Sequence, residues 1–260
     1  MLALVLLVVA WAACLIAHQN ARFDIRECRH LYLDIGSNIG VQVRKLFQPT
    51  LYRNAPVLKL FDNYFGPAAQ RRQEVCAIGV EGNPHRTANL TRLQDCYNRL
   101  GWRTMFLTET LFGTENGTRA FYSDLDNAHV EWGSSIFDHR KTGKPFAVKE
   151  IDANAFLNDY AKPVSARAGV VLAKMDIEGS EFSVLPHLLK HAALCQSVVR
   201  AMFIEWHVRY VPPSMRQLSA DFQKAFSTQL RAQHCNATNV IYFDDETFLF
   251  DPNPLPDVCV

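Results

Sequence analysis

The chain has 260 residues, 48% of them hydrophobic, with a net charge of +1 and a pI near 7.7. That length and apolar fraction fit one sizeable core, most simply a single domain of the larger α/β kind. A near-neutral balance with no basic run gives nucleic acid no electrostatic hold, and nothing repeats at a fixed period.

Residues 1–17 (MLALVLLVVAWAACLIA) carry no charge and stop at His18-Gln19-Asn20. The run suits a signal-peptide core or a short membrane span, and the lack of a small-x-small cleavage site after it favours a retained anchor. Arg22, Arg26 and Arg29 follow the run and favour keeping its C-terminal side in the cytosol. Six cysteines outside the run (Cys28, Cys76, Cys96, Cys195, Cys235 and Cys259) argue the other way, being compatible with three disulfides. Sequons at Asn89, Asn116 and Asn236 point in that direction too. The expectation is a secretory-pathway protein, anchored by one N-terminal span or secreted, with the cytosol-facing orientation left open.

After a linker at 18–30, HLYLD at 30–34 is predicted to be a buried strand. It runs through IGSNIG into a helix over VQVRKLF, closed by Pro49. Residues 49–72, with three prolines and mixed character, are an expected insertion that helps to shape the acceptor pocket. A strand at 75–80 ends in EGNP, where Pro84 suits the first turn of a helix reaching about Tyr97. A third strand follows at 102–107. Between 110 and 150, GTENGTRAFY and GSSIFDHRKTGKPFAVKEI are expected hairpin strands with glycine-rich turns, also shaping the pocket. Next come a helix at 152–160, a strand at 169–175, a helix at 180–191, a strand at 198–205 and a helix at 214–233. Closing strands are expected near 240–243 and 247–250. Strands alternating with helices imply a mainly parallel sheet covered on both faces, and the closing hairpin adds an antiparallel edge.

Ligands of open α/β sheets bind beyond the carboxyl ends of the strands. DIGSNIG stands at the first such end: Gly36 and Gly40 permit a tight turn and close backbone approach, and Asp34 supplies a carboxylate. Asn38 occupies the place of the second glycine of G-x-G-x-x-G, which disfavours a dinucleotide and an NAD-dependent oxidoreductase. A nucleoside without a pyrophosphate suits the loop better. Glu81, ending the second strand, is positioned to take the two hydroxyls of a ribose.

In order, YLDIGSNIG, VEGNPHRTANL, FGTENGTRAFY, WGSSIF, AKMDIEGSEFSVL and MFIEWH resemble the FkbM-type methyltransferases over about residues 31–250. One departure is Val80-Glu81-Gly82-Asn83-Pro84, where the family commonly has aromatic-Glu-Pro-Asn-Pro. The resemblance implies a Rossmann-like class I methyltransferase fold: a mainly parallel seven-stranded sheet, an antiparallel C-terminal edge strand and an inserted hairpin. The domain is then expected at 31–252, with a short tail at 253–260. The resemblance also implies S-adenosylmethionine (SAM) as cofactor and a hydroxyl of a small molecule or glycan as acceptor. Asp34, Gly36, Ser37, Asn38 and Gly40 would hold the methionine part of SAM and Glu81 its ribose, with Asn83 bracing that turn. Thr108 and Glu109 would reach the adenine, and Gly133-Ser134-Ser135 would lie over cofactor or substrate. A catalytically silent methyltransferase-like binding domain is the alternative.

The acids of KMDIEGSEF divide by position. By the two-residue period Leu172, Lys174 and Asp176 share one strand face, and Ala173, Met175 and Ile177 the other. Asp176 is the expected catalytic carboxylate, a base or an orienter of the acceptor hydroxyl. Lys174 and the helix start behind it would lower its pKa, which favours orientation or holding a divalent cation through oxygen. Glu178 and Glu205 are candidates to complete such a site. His207 is the alternative base, with a pKa suited to neutral pH. Glu181 is expected to be a helix-start acid.

Overall fold

The computed structural model describes residues 23–124, 131–139, 141 and 144–242. Its central sheet has six strands: β1 (His30–Ile35), β2 (Val75–Val80), β3 (Thr104–Leu107), β7 (Val171–Met175), β8 (Ala201–Ile204) and β9 (Asn239–Ile241), in the order β3-β2-β1-β7-β8-β9. Every neighbouring pair in it is parallel. The expected antiparallel partner at 247–250 lies outside the described residues, as do the apolar run at 1–17 and the tail. Among the described residues no helix is long and apolar enough to cross a membrane.

The inserted strands form a separate mixed sheet rather than part of the main one. β4 (Thr110–Gly113), β5 (Gly117–Tyr122) and β6 (Pro145–Asp152) stand in the order β4-β6-β5, with β5 antiparallel and β4 parallel to β6.

Each strand feeds two cores by alternation. On one face Leu31, Leu33 and Ile35 of β1 and Ala173 and Met175 of β7 pack with Val184, Leu185 and Leu188 of α7 (Glu181–Lys190), which follows the short α5 (Ala153–Phe156) and α6 (Lys162–Ala166), and with Phe226 of α8 (Pro213–Arg231). On the other, Tyr32, Ala77, Leu172 and Phe203 meet α1 (Val41–Phe47) and α4 (Thr87–Arg99). Residues 49–72 belong to this second layer. α2 (Val57–Phe65) inserts Phe61 and Phe65, fully buried, against Tyr32, while Arg71 of α3 (Ala68–Glu74) ties Leu46 and Gly66 by their carbonyls. This corrects the pocket-shaping expectation: the segment covers the sheet and contributes nothing to the cleft described below.

Two disulfides have both ends among the described residues. Cys28–Cys76 joins the segment before β1 to β2, Cys195–Cys235 links the loops after α7 and α8, and Cys96 is disulfide-bonded as well. Strand order reverses between β1 and β7, so the loops leaving their carboxyl ends diverge. A crevice opens there.

Candidate active site

At Gly36 the loop after β1 fits its neighbours too closely for any side chain. Gly36 has φ +87°, and a Cβ on it would lie 1.7 Å from the Asp176 carbonyl oxygen. The ends of β1 and β7 therefore touch through backbone. Asn38 also adopts a left-handed conformation, φ +48°, which turns its N–H toward Glu81 Oε2 at 2.6 Å. Glu81 Oε1 accepts the N–H of Asn83 at 2.7 Å. One carboxylate, 8% exposed, thus pins the loops following β1 and β2. Burial raises its pKa against the pull of those two N–H donors.

Asn83 extends the brace. Its Oδ1 caps the His85 N–H at 3.0 Å, and its Nδ2 donates to Glu131 Oε2 at 3.0 Å and to Ser134 Oγ at 3.3 Å. Glu131 also accepts from Ser123 Oγ at 2.7 Å and lies 2.8 Å from His85 Nδ1. Segment 131–135 is thereby fastened across the crevice, with Ser135 Oγ donating to the Glu178 carbonyl at 2.6 Å. Nothing in the sequence singled out Glu131; its partners lie up to 48 positions away, beyond the reach of local pattern.

Between these loops lies a cleft of roughly 840 Å³, open to solvent. Gly36, Ser37, Asn38, Glu81, Asn83, Ser134, Lys174, Asp176 and Glu178 all line it, so the structure brings most of the expected site residues together. Leu111, Phe112 and Phe121 of the small sheet make an apolar wall. Asp34 lies behind the lining, fully buried, and Gly40 caps α1. Thr108 stands outside the cleft: its carbonyl accepts from Thr110 Oγ1, and Thr110 and Leu111 take the wall position expected for it. Glu109 accepts from Thr87 Oγ1 at 3.1 Å, also away from the cleft.

The acid cluster closes the far end. Lys174 Nζ donates to Asp176 Oδ2 at 2.6 Å. Burial opposes ionisation of Asp176, but Lys174 and His207 outweigh it and hold its pKa below the ordinary value. His207, 3% exposed, has Nε2 3.3 Å from Glu205 Oε1, 3.4 Å from Glu178 Oε2 and 3.7 Å from Asp176 Oδ1. Burial disfavours its charged form, yet Glu181, Glu205, Glu178 and Asp176 together keep its pKa well above the usual range. This upward shift runs against the near-neutral value expected of a histidine base. Glu178 is the converse case, pushed well up by burial with Asp176, Glu205 and Glu181 adding to it.

Glu181 is more than a helix start. Fully buried, it accepts the N–H of Gly179 at 2.8 Å and of His207 at 2.5 Å, locking the loop after β8 to the start of α7.

A profile of the methyltransferase FkbM domain matches residues 34–225, which run from the end of β1 into α8 and take in every loop of this cleft. The chain belongs to the FkbM methyltransferase family. No curated protein and no solved structure matches it. Membership in the FkbM family indicates methyltransferase activity on an acceptor molecule, small or macromolecular. The FkbM profile begins at Asp34 and takes in both the glycine loop and the DIEGSE acids.

Proposed function

We propose that this protein is a SAM-dependent O-methyltransferase acting on a hydroxyl of a small molecule or glycan. The observation that carries the reading is the Glu81 clamp at the switch point, with an apolar wall on one side and Asp176 across the cleft. SAM supplies an activated methyl group on a sulfonium. The residues fit such a ligand. A carboxylate that has accepted two backbone N–H bonds keeps lone pairs for ribose hydroxyls. The wall of Leu111, Phe112 and Phe121 offers a flat base a water-free face. Gly36, Ser37 and Asn38 present backbone to the methionine end.

Methyl transfer relies mainly on positioning. Asp176, kept ionised by Lys174, accepts a hydrogen bond from the acceptor hydroxyl and aims its oxygen. Segment 131–135 shields the reacting centre from water.

The location we propose is the secretory pathway, with the 1–17 segment as anchor or cleaved signal. Disulfides persist in oxidising compartments, and the sequon asparagines Asn89, Asn116 and Asn236 are all exposed.

Calorimetric titration with SAM tests the activity. The purified protein is expected to bind in the micromolar range, and Glu81→Ala to weaken binding by about 100-fold, the loss of two charge-assisted hydrogen bonds. Absence of binding by the parent protein, or equal binding by the variant, overturns the proposal. Binding without transfer to any hydroxyl acceptor would identify a silent binding domain instead.

A further inference from the structure

The acceptor end of the cleft holds more than a single orienting carboxylate needs. Asp176 Oδ2 is taken by Lys174, but Oδ1 is buried without a hydrogen-bond partner, and so is Glu178 Oε2. Both oxygens share their surroundings with Nε2 of the almost fully buried His207, at 3.7 and 3.4 Å. These distances exceed a normal N–H···O bond. They match the spacing of atoms that share a metal: bonds of about 2.1–2.3 Å at octahedral to tetrahedral angles separate ligand atoms by about 3.0–3.8 Å. The three ligand atoms lie within 4.8 Å of one another.

A second feature points the same way. Metal-bound histidines nearly always direct their other nitrogen at a carboxylate, a backbone carbonyl or water that fixes the ring. The His207 backbone N–H donates to Oε1 of the fully buried Glu181 at 2.5 Å, and Nδ1 faces the same oxygen at 3.5 Å, beyond hydrogen-bond length. Charge agrees as well: Asp176, Glu178, Glu181 and Glu205 gather around one ammonium and one imidazole.

We propose that Asp176, Glu178 and His207 form a binding site for a divalent transition-metal ion, with Glu181 holding His207 in place and the open coordination positions facing the cleft. One imidazole with two carboxylates suits Mn²⁺ or a similar ion better than Mg²⁺ or Ca²⁺, which take all-oxygen sets. The ion's part in catalysis, unlike its binding, rests on the function proposed above. It lowers the proton affinity of an acceptor hydroxyl. The hydroxyl oxygen then forms the new O–CH₃ bond, the S–CH₃ bond breaks with its electron pair staying on sulfur, and the proton leaves to solvent past Glu205. In this reading His207 is a ligand and not a base.

Mn²⁺ titration of the whole protein, followed by loss of the free-ion paramagnetic resonance signal, tests the site. The expected result is one ion per chain below about 100 μM. Glu178→Gln is expected to weaken it at least tenfold. Pulsed resonance of the bound ion should show nitrogen coupling that His207→Gln abolishes. No binding up to 1 mM, or bound Mn²⁺ with neither Glu178 dependence nor nitrogen coupling, overturns the proposal. Because SAM binding is measured separately, Mn²⁺ binding without SAM binding would remove the cofactor reading and leave the metal site standing.

Discussion

Asp34, one residue before the end of β1, has no exposed surface, and neither side-chain oxygen has a hydrogen-bond partner. Burial drives its pKa up from 3.8 to about 7, with Lys174, its register partner on β7, pulling the other way. A carboxyl that holds its proton more tightly when folded makes the folded state bind more protons than the unfolded one between these two values. Its contribution to stability therefore falls as pH rises from about 4 to about 7 and is level above that, by at most about 4 kcal/mol. Asp34→Asn removes this decline. In urea denaturation the variant is expected to match the parent at pH 4.5 and to exceed it by about 1–3 kcal/mol at pH 8. A constant difference between the two proteins at both pH values would mean that Asp34 does not titrate in this range. The sequence marked Asp34 by its place before a glycine loop, but burial behind the loop depends on α1 and β7 closing over it. A six-residue strand carries no sign of that.

At the scale of elements, the contact between the ends of β1 and β7 makes the crevice possible. Gly36 and Gly101 have nearly the same φ, +87° and +80°, but a Cβ meets the Asp176 carbonyl oxygen at 1.7 Å in the first and nothing within 4 Å in the second. Gly101→Ala should cost only the left-handed strain, about 1 kcal/mol. Gly36→Ala must also push the loops after β1 and β7 apart, at more than about 3 kcal/mol, with loss of SAM binding. Thermal denaturation of the two variants side by side checks this, and equal losses would refute the close approach. Elements of this kind were legible because apolar alternation and turn residues are local signals: β2 lies at 75–80 as expected, and the helices after the glycine loop and after DIEGS fall within a residue or two. The place of segment 49–72 is not legible in its three prolines and mixed character. What decides its fate is distant, namely Phe61 packing edge-on against Tyr32 of β1. Glu181 illustrates the same limit within the site, its role set by His207, 26 positions on.

For the molecule as a whole, the disulfides connect location with stability. Cys28–Cys76 closes a span of 48 residues and Cys195–Cys235 one of 40. Loops of that size stabilise by roughly 4 kcal/mol each through the unfolded chain, if the native geometry is unstrained. In a chain of this length that corresponds to about 8–16 °C of melting temperature per bridge. Neither bridge lies at the cleft, so removing one should lower stability without moving SAM affinity. Cys195→Ser with Cys235→Ser is therefore expected to melt about 8–16 °C lower and bind SAM normally below its melting point. The same logic bears on the compartment. A domain that depends on its bridges should fold when exported and accumulate poorly in a reducing cytosol, and the exported form should carry glycans on its exposed sequons. Expression of the full chain in both settings, read by solubility and by a glycosidase-sensitive gel shift, decides it. Soluble protein from the cytosol and no shift from the exported form would place the domain on the cytosolic side, as the three arginines after the apolar run suggest.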